Sequence, residues 1–204
     1  MFKTKEKKER RLGIRLFLKP HRCASIKCAM VRSPLKPGQH TKMRRRAMSE
    51  FGEQLAEKQK LRYTYGLREQ QLRRFFSEAS KSKDETGPKL MQLLERRLDS
   101  TVFNGGIAPS RSVARNLINH GHIIVNGKKT KSPSYLVKVG DVIAVREQSK
   151  TGGFLKDSPI VSKSYMPPRW LESIGESFTI KSKTLPTDID HLFDLEKIID
   201  FYSK

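Results

Sequence analysis

The sequence predicts an α+β chain: mostly helical, with one small helix-and-hairpin module and a basic, extended N-terminal arm. Three observations carry that reading. Apolar residues recur at helical spacing from Ser49 to Ser100. The stretch "SRSVARNLINHGHIIVNGKK" at 110–129 then switches from that spacing to a strand entering an Asn-Gly turn. Residues 1–50 hold 16 Lys and Arg against 3 Asp and Glu, and Pro20, Pro34 and Pro37 block long helices there.

The charge decides what class of partner to expect. The chain of 204 residues carries a formal net charge of +21. Basic and acidic residues number 11 and 8 over 51–100, 8 and 2 over 101–150, and 7 and 8 over 151–204. A folded protein gains no stability from such self-repulsion, so a polyanion is expected to offset it. No run of ~18 apolar residues is available to span a bilayer. The opening "MFKTKEKKERRLG" lacks the apolar stretch of a secretion signal, and Glu6 and Glu9 argue against a mitochondrial presequence. Nucleic acid in a cytoplasm-like compartment, and no membrane, is the expected setting. In the arm, 1–48, "SPLKPGQHTKMRRRAMS" places turn residues before Arg44, Arg45 and Arg46, which are expected to meet phosphates.

The helices follow in order. "SEFGEQLAEKQKLRYTYG" begins on a Ser cap and stops at Gly66. In "LREQQLRRFFSEASKSK", Leu72, Phe75, Phe76 and Ala79 share a face, and the aromatics read as core rather than as base-stacking platforms. "TGPKLMQLLERRLDS" places Pro88 near a helix start and repeats Leu90, Leu94 and Leu98 at i+4. The module comes next. Ser110 caps a helix from Arg111 to Asn119 whose Val113, Ala114, Leu117 and Ile118 point inward. Gly121 ends it, "HIIVNGKK" forms a hairpin strand, and "SPSYLVKVGDVIAVRE" alternates across a second turn at Gly140-Asp141. A helix pair packed on a short antiparallel sheet is the expected result. Arg111 and Arg115 have no acidic residue at i±3 or i±4, and no Asp or Glu occurs between 100 and 140, where Lys128, Lys129, Lys131 and Lys138 fall. One sign of charge on one module reads as a phosphate-binding surface.

"RRLDSTVFNGGIAPSRSVARNLINHGHIIVNGKK" resembles the S-four type RNA-binding module. "PGQH" (37–40), "EKQKLRYTYGLREQQLRRFF" (57–76), "TGPKLMQLLERRLDS" (86–100) and "IIDFYSK" (198–204) resemble the small-subunit ribosomal protein four family of bacterial and organellar type. The likeness runs, with gaps, from about residue 10 onward, and its motifs keep the family's order. It implies that the module, 92–155, is an insertion in a helical domain made of 49–91 and a return segment, 156–204. "SYMPPRWLE" (164–172) would be the re-entry, and Leu195, Ile198, Ile199 and Tyr202 would share a helical face.

The resemblance also implies a function. Family members are structural, non-enzymatic proteins that bind small-subunit ribosomal RNA at a junction of helices in its 5′ domain and nucleate assembly there. They adjoin neighbouring small-subunit proteins, and line the channel through which messenger RNA enters, affecting translational accuracy. A-form RNA hides its base edges, so a junction is gripped through shape, phosphates and 2′-hydroxyls, which calls for fixed cations. The contacts expected on this basis are Arg44, Arg45, Arg46, Lys58, Lys60, Arg62, Arg68 and Arg74 from the helical domain. From the module they are Ser110, Arg111, Arg115, His120, His122, Asn126, Lys128 and Lys129. The chain is expected in the small ribosomal subunit, cytoplasmic or organellar.

Catalytic and metal chemistry find little footing. Some family members carry four N-terminal cysteines that bind zinc or an iron–sulfur cluster; here Cys23 and Cys28 match the later pair, and ungapped spacing puts Glu6 and Glu9 at the earlier pair. Structural zinc sites favour Cys and His over carboxylate, so no cofactor is expected, with His21 and His40 the remaining residues that could complete a site. Arg97-Leu98-Asp99 also resembles the surroundings of a pseudouridine synthase aspartate, but no large catalytic domain follows it. A P-loop, a zinc-deaminase signature and a Gly-x-Ser-x-Gly elbow are all missing. A free RNA chaperone could use the same module but would lack the helical domain and the "IIDFYSK" segment.

Overall fold

Ser49 accepts a hydrogen bond from the Gly52 amide (3.2 Å), and this cap opens the longest helix. The computed structural model describes residues 5–23, 25–38, 47–150, 165–174, 178–187 and 193–203. They divide into two units, 1–77 with 191–204, and 78–190. Among the described residues no helix is long and apolar enough to cross a membrane.

The first unit contains α1 (Lys5–Leu12), α2 (Pro20–Cys23), α3 (Ala29–Arg32), α4 (Glu50–Thr64), most of α5 (Glu69–Ser80) and α10 (Leu195–Ser203). Leu61, Leu72 and Ile198 are fully buried. Helix α10 lies along α4, as the apolar face of the C-terminal segment requires. Phe51 stacks on Phe201 with centroids 5.6 Å apart, and Phe76 on Tyr202 at 4.8 Å. Glu69 ties the three helices together. Its carboxylate accepts Lys58 Nζ (2.8 Å), Arg62 Nη1 (3.1 Å) and the Tyr202 hydroxyl (2.8 Å).

The segment expected as an extended arm is folded over 5–23 and 25–38. Its prolines fall outside α1, which ends at Leu12 and is closed by Gly13 in the left-handed region (φ 75°). Buried Glu9 accepts the amides of Leu16 (3.0 Å) and Leu18 (3.1 Å), bending the chain back along its own helix. Glu6 pairs with Lys19 (3.2 Å) and Arg22 (3.0 Å), and Arg10 donates to the Leu35 carbonyl (3.0 Å) and Ser33 Oγ (3.2 Å). Local acids, rather than helix propensity, order this stretch.

The second unit holds α6 (Thr86–Glu95), α7 (Leu98–Asn104), α8 (Arg111–Asn119), β1 (Ile123–Val125), β2 (Lys128–Lys129), β3 (Val142–Val145), α9 (Glu147–Lys150), β4 (Leu171–Ser173) and β5 (Thr179–Ser182). All strand pairs are antiparallel, in the order β2-β1-β3-β5-β4. Helices α7 and α8 pack together over this sheet, closing a core of Leu98, Val102, Ile118, Ile123, Ile143 and Ile180. Asn126 (φ 49°) and Gly127 (φ 76°) both take positive φ, the backbone of a type I′ hairpin. The approach of α7 to β5 is so close that a Cβ on Gly105 would lie 1.8 Å from Cδ1 of Ile180.

The return segment corrects the expected layout. Residues 171–174 and 178–182 do not rejoin the helical unit; β5 pairs with β3, Ile143 opposite Ile180, and β4 pairs with β5. The reason is the free edge that a sheet ending at β3 would expose. Ile180 and Ser182 face inward and Lys181 outward, the alternation of a half-buried strand. Within the return segment, α10 is the element that packs on α4.

Burial pushes the Glu69 carboxyl up, but Lys58, Tyr202 and Arg62 outweigh it and hold its pKa below the ordinary 4.5. A carboxyl lowered in this way stabilises the fold above its unfolded pKa, and that contribution is lost as pH falls through the folded value. Glu69→Gln should therefore lower stability by roughly 1–2 kcal/mol at neutral pH, since it strands the Lys58 ammonium. The difference from the parent should shrink below about pH 4.5, measured by urea unfolding across pH.

Candidate nucleic-acid interface

The Arg-Leu-Asp turn between α6 and α7 sets the geometry of the module. Asp99 is 1% exposed, and its carboxylate accepts Arg97 through both oxygens (Nε 3.0 Å, Nη2 2.8 Å) and the Ser100 amide (3.0 Å). Arg115, one turn into α8, reaches the same carboxylate through Nε (3.1 Å) and Nη2. Arg111 lies one turn earlier. Its Nη2 meets buried Glu95 (2.9 Å), its Nε meets Ser100 Oγ (3.2 Å), and its guanidinium lies 4.6 Å from the Phe103 ring centroid.

The two arginines thus do have acidic partners, supplied 16 residues upstream by α6 and α7 instead of by their own helix. A search confined to i±3 and i±4 cannot see acids brought in by helix packing. The cluster holds three guanidiniums against two carboxylates, and the arginines retain 17% and 29% side-chain exposure. The pairing fixes their position, which lowers the entropy lost on meeting a further anion.

In the same unit, Lys128 and Lys129 form the edge strand β2, and both are exposed, as are Lys131 and Lys138. Lysine on an edge also discourages strand addition. The hairpin is held by side chains. Asn126 donates to Asp141 (2.8 Å) and accepts the Val142 amide (2.9 Å), while Asp141 accepts the Lys138 amide (2.9 Å) and the Tyr135 hydroxyl (3.3 Å). Burial first, and the Asp141 carboxylate second, push the Tyr135 phenol up.

Several expected contacts have internal duties. Asn126 is committed to its turn. Ser110 is buried as the cap of α8, accepting the Val113 amide (3.3 Å). His122 shares a hydrogen with Ser149 Oγ (2.9 Å), and exposed His120 caps the end of α8, with the two rings 6.1 Å apart. In the helical unit, Lys58 is 5% exposed, bound to Glu69 and 4.1 Å from the Phe201 ring, so its charge serves the fold rather than a surface. Lys60 pairs with Glu57, and Arg62 with Glu69. Arg68 and Arg74 are exposed. Arg44, Arg45 and Arg46 lie outside the described residues, as do His40 and the side chain of His21.

Cys23 and Cys28 are free and buried, and burial is the main cause that raises the Cys23 thiol. Among the described residues no group of three or more His, Cys, Asp or Glu is placed to hold a metal. Sequence reasoning overlooked Glu95, Asp99 and Ser100, which position the module's arginines. Arg-Leu-Asp is legible in the sequence as part of the module's motif, but the grip of its aspartate on Arg115 comes from another helix.

Asp99→Asn should cost about 3 kcal/mol in a urea titration, because it leaves Arg97 buried without its anion. The loss should exceed that of Lys128→Gln, which touches only the exposed edge.

Residues 2–95 match the family model for the ribosomal protein S4/S9 N-terminal domain, and 96–143 match the S4 domain. The chain is 46% identical to the small ribosomal subunit protein uS4 of Acetivibrio thermocellus over 96% of its length and 94% of the relative's. It is 44% identical to uS4 of Natranaerobius thermophilus and to that of Pelotomaculum thermopropionicum, with the same coverage. An α8–hairpin module of fixed arginines and exposed lysines, in a chain alike over nearly its full length, belongs to the uS4 family of small ribosomal subunit proteins.

Proposed function

We propose that this chain is a structural, non-enzymatic component of the small ribosomal subunit that binds the subunit's RNA through α8 and the β1–β2 hairpin. The observation that carries the reading is the one-signed set of exposed Lys128, Lys129, Lys131 and Lys138 in the same unit as the arginines held by Asp99 and Glu95. Lysines on a rigid hairpin suit sugar–phosphate contact without base reading, and each neutralised phosphate releases counterions. The contact set is Arg111, Arg115, Lys128 and Lys129, with exposed Arg68 and Arg74 from the helical unit and Arg44 to Arg46 from the segment before α4. Lys58 is left out because it is buried.

The finer reading follows from the same family. The chain would bind a junction in the 5′ domain of the RNA early in assembly, adjoin neighbouring small-subunit proteins, and present basic residues to messenger RNA where it enters the subunit. A ribosomal location, in a cytoplasm or an organelle, goes with this role.

Filter binding of a 5′-domain transcript over a range of salt concentrations tests the interface. Replacing both Lys128 and Lys129 by Gln should reduce the log–log salt slope by about 2 and weaken binding at every concentration. Unchanged affinity and slope would remove the hairpin from the interface. Release of the full chain from small subunits at moderate salt would favour a free RNA chaperone over a resident component.

A further inference from the structure

Helix α1 carries two acids against five bases, and it sorts them by side. Glu9 is turned into the chain bend at Leu16 and Leu18, and Glu6 toward Lys19 and Arg22. Lys7, Lys8 and Arg11 remain on another face, and none pairs with an acid among the described residues. Lys7 and Arg11 stand at i and i+4, a like-charge spacing that destabilises a helix when nothing neutralises it. Arg10 anchors the Leu35 carbonyl and Ser33, and so sets Lys36 and Pro37 opposite α1. Between these walls and Tyr63 of α4 lies an open cleft of about 390 Å³, lined by Lys7, Lys8, Arg11, Lys36, Pro37 and Tyr63.

Most other cations of the N-terminal unit that lie near acids are spent on them, as Lys58, Lys60 and Arg62 show. Four cations converging on a concave site without a described carboxylate create a focused positive potential. The lining is not merely cationic. Tyr63 and Pro37 add flat apolar surface, and the Lys8 ammonium rests 4.5 Å from the Tyr63 ring centroid, where it can leave for a phosphate. The volume falls in the range of sites that enclose one small ligand.

We propose that this cleft receives one unpaired nucleotide of RNA, with its phosphate on Lys7, Arg11 and Lys36 and its base against Tyr63 and Pro37. The proposal rests on the RNA-binding reading above but adds a second site, in a different unit from the α8–hairpin surface. Splayed-out single-stranded bases stacked on aromatic side chains are a common means of RNA recognition, and a free nucleotide offers the same chemistry. Chain context favours RNA, because the cleft is open and several of its cations can meet successive phosphates.

The test uses the full chain at low salt with two labelled probes, a five-residue adenosine oligoribonucleotide and its abasic analogue. The parent should bind the adenosine probe about tenfold more tightly than the abasic one. Tyr63→Leu should erase that preference, with circular dichroism confirming that the chain remains folded. Lys36→Gln, at a half-buried position outside the helices, should weaken both probes and reduce the salt slope by about 0.7. Equal binding of the two probes by the parent, or unchanged binding by Lys36→Gln, would overturn the proposal. Free ADP competing as strongly as the oligonucleotide would overturn the assignment to RNA. The Lys128→Gln, Lys129→Gln pair separates the two readings. If it abolishes adenosine-probe binding, the cleft fails and the hairpin interface stands; if it weakens only the transcript, both stand.

Discussion

A carboxylate as buried as that of Asp99 is tolerated only where cations and amides surround it, and here one side chain recruits Arg97, Arg115 and the Ser100 amide. That requirement pins α8 against α7. The helix that carries the exposed guanidinium edges therefore cannot rotate without stranding a buried charge. Glu95 repeats the device one turn away for Arg111. On the other flank, the Asn126–Asp141 pair joins the lysine hairpin to β3. The surface is thus a set of cations whose positions are fixed from beneath by acids.

Much of this was legible in the residues. Period-3.6 spacing located α4, α5, α6 and α8, and Asn-Gly located the hairpin turn, because each is a local signal that survives packing. The family likeness then tied these pieces together. Three things were not legible. The partners of Arg111 and Arg115 lie 16 residues away on other helices. Strands β4 and β5 are short, β4 lies just after Pro167 and Pro168, and what makes them strands is the open edge of β3. Lys58 reads as a surface cation at sequence level, because the Glu69 and Phe201 groups that bury it come from α5 and α10.

The N-terminal stretch illustrates how charge counting can mislead. A strongly basic segment broken by prolines suggests an extended arm, but two glutamates suffice to fold it, one as a buried acceptor for backbone amides and one as an ion-pair hub. Those are the positions where the family resemblance places the earlier cysteine pair. In this chain the bend at 16–18 is closed by a carboxylate, and its two remaining cysteines are buried free thiols.

The pairing of α10 with α4 has a temporal side. The two helices belong to one unit but are separated in the chain by the whole of the other, 78–190. The intervening unit is continuous in the chain, whereas α4 precedes it and α10 follows it. The apolar flank of α4 must wait, uncovered, until the final helix emerges. The continuous unit is therefore the natural first intermediate, and the discontinuous one is sealed last by the α10 segment.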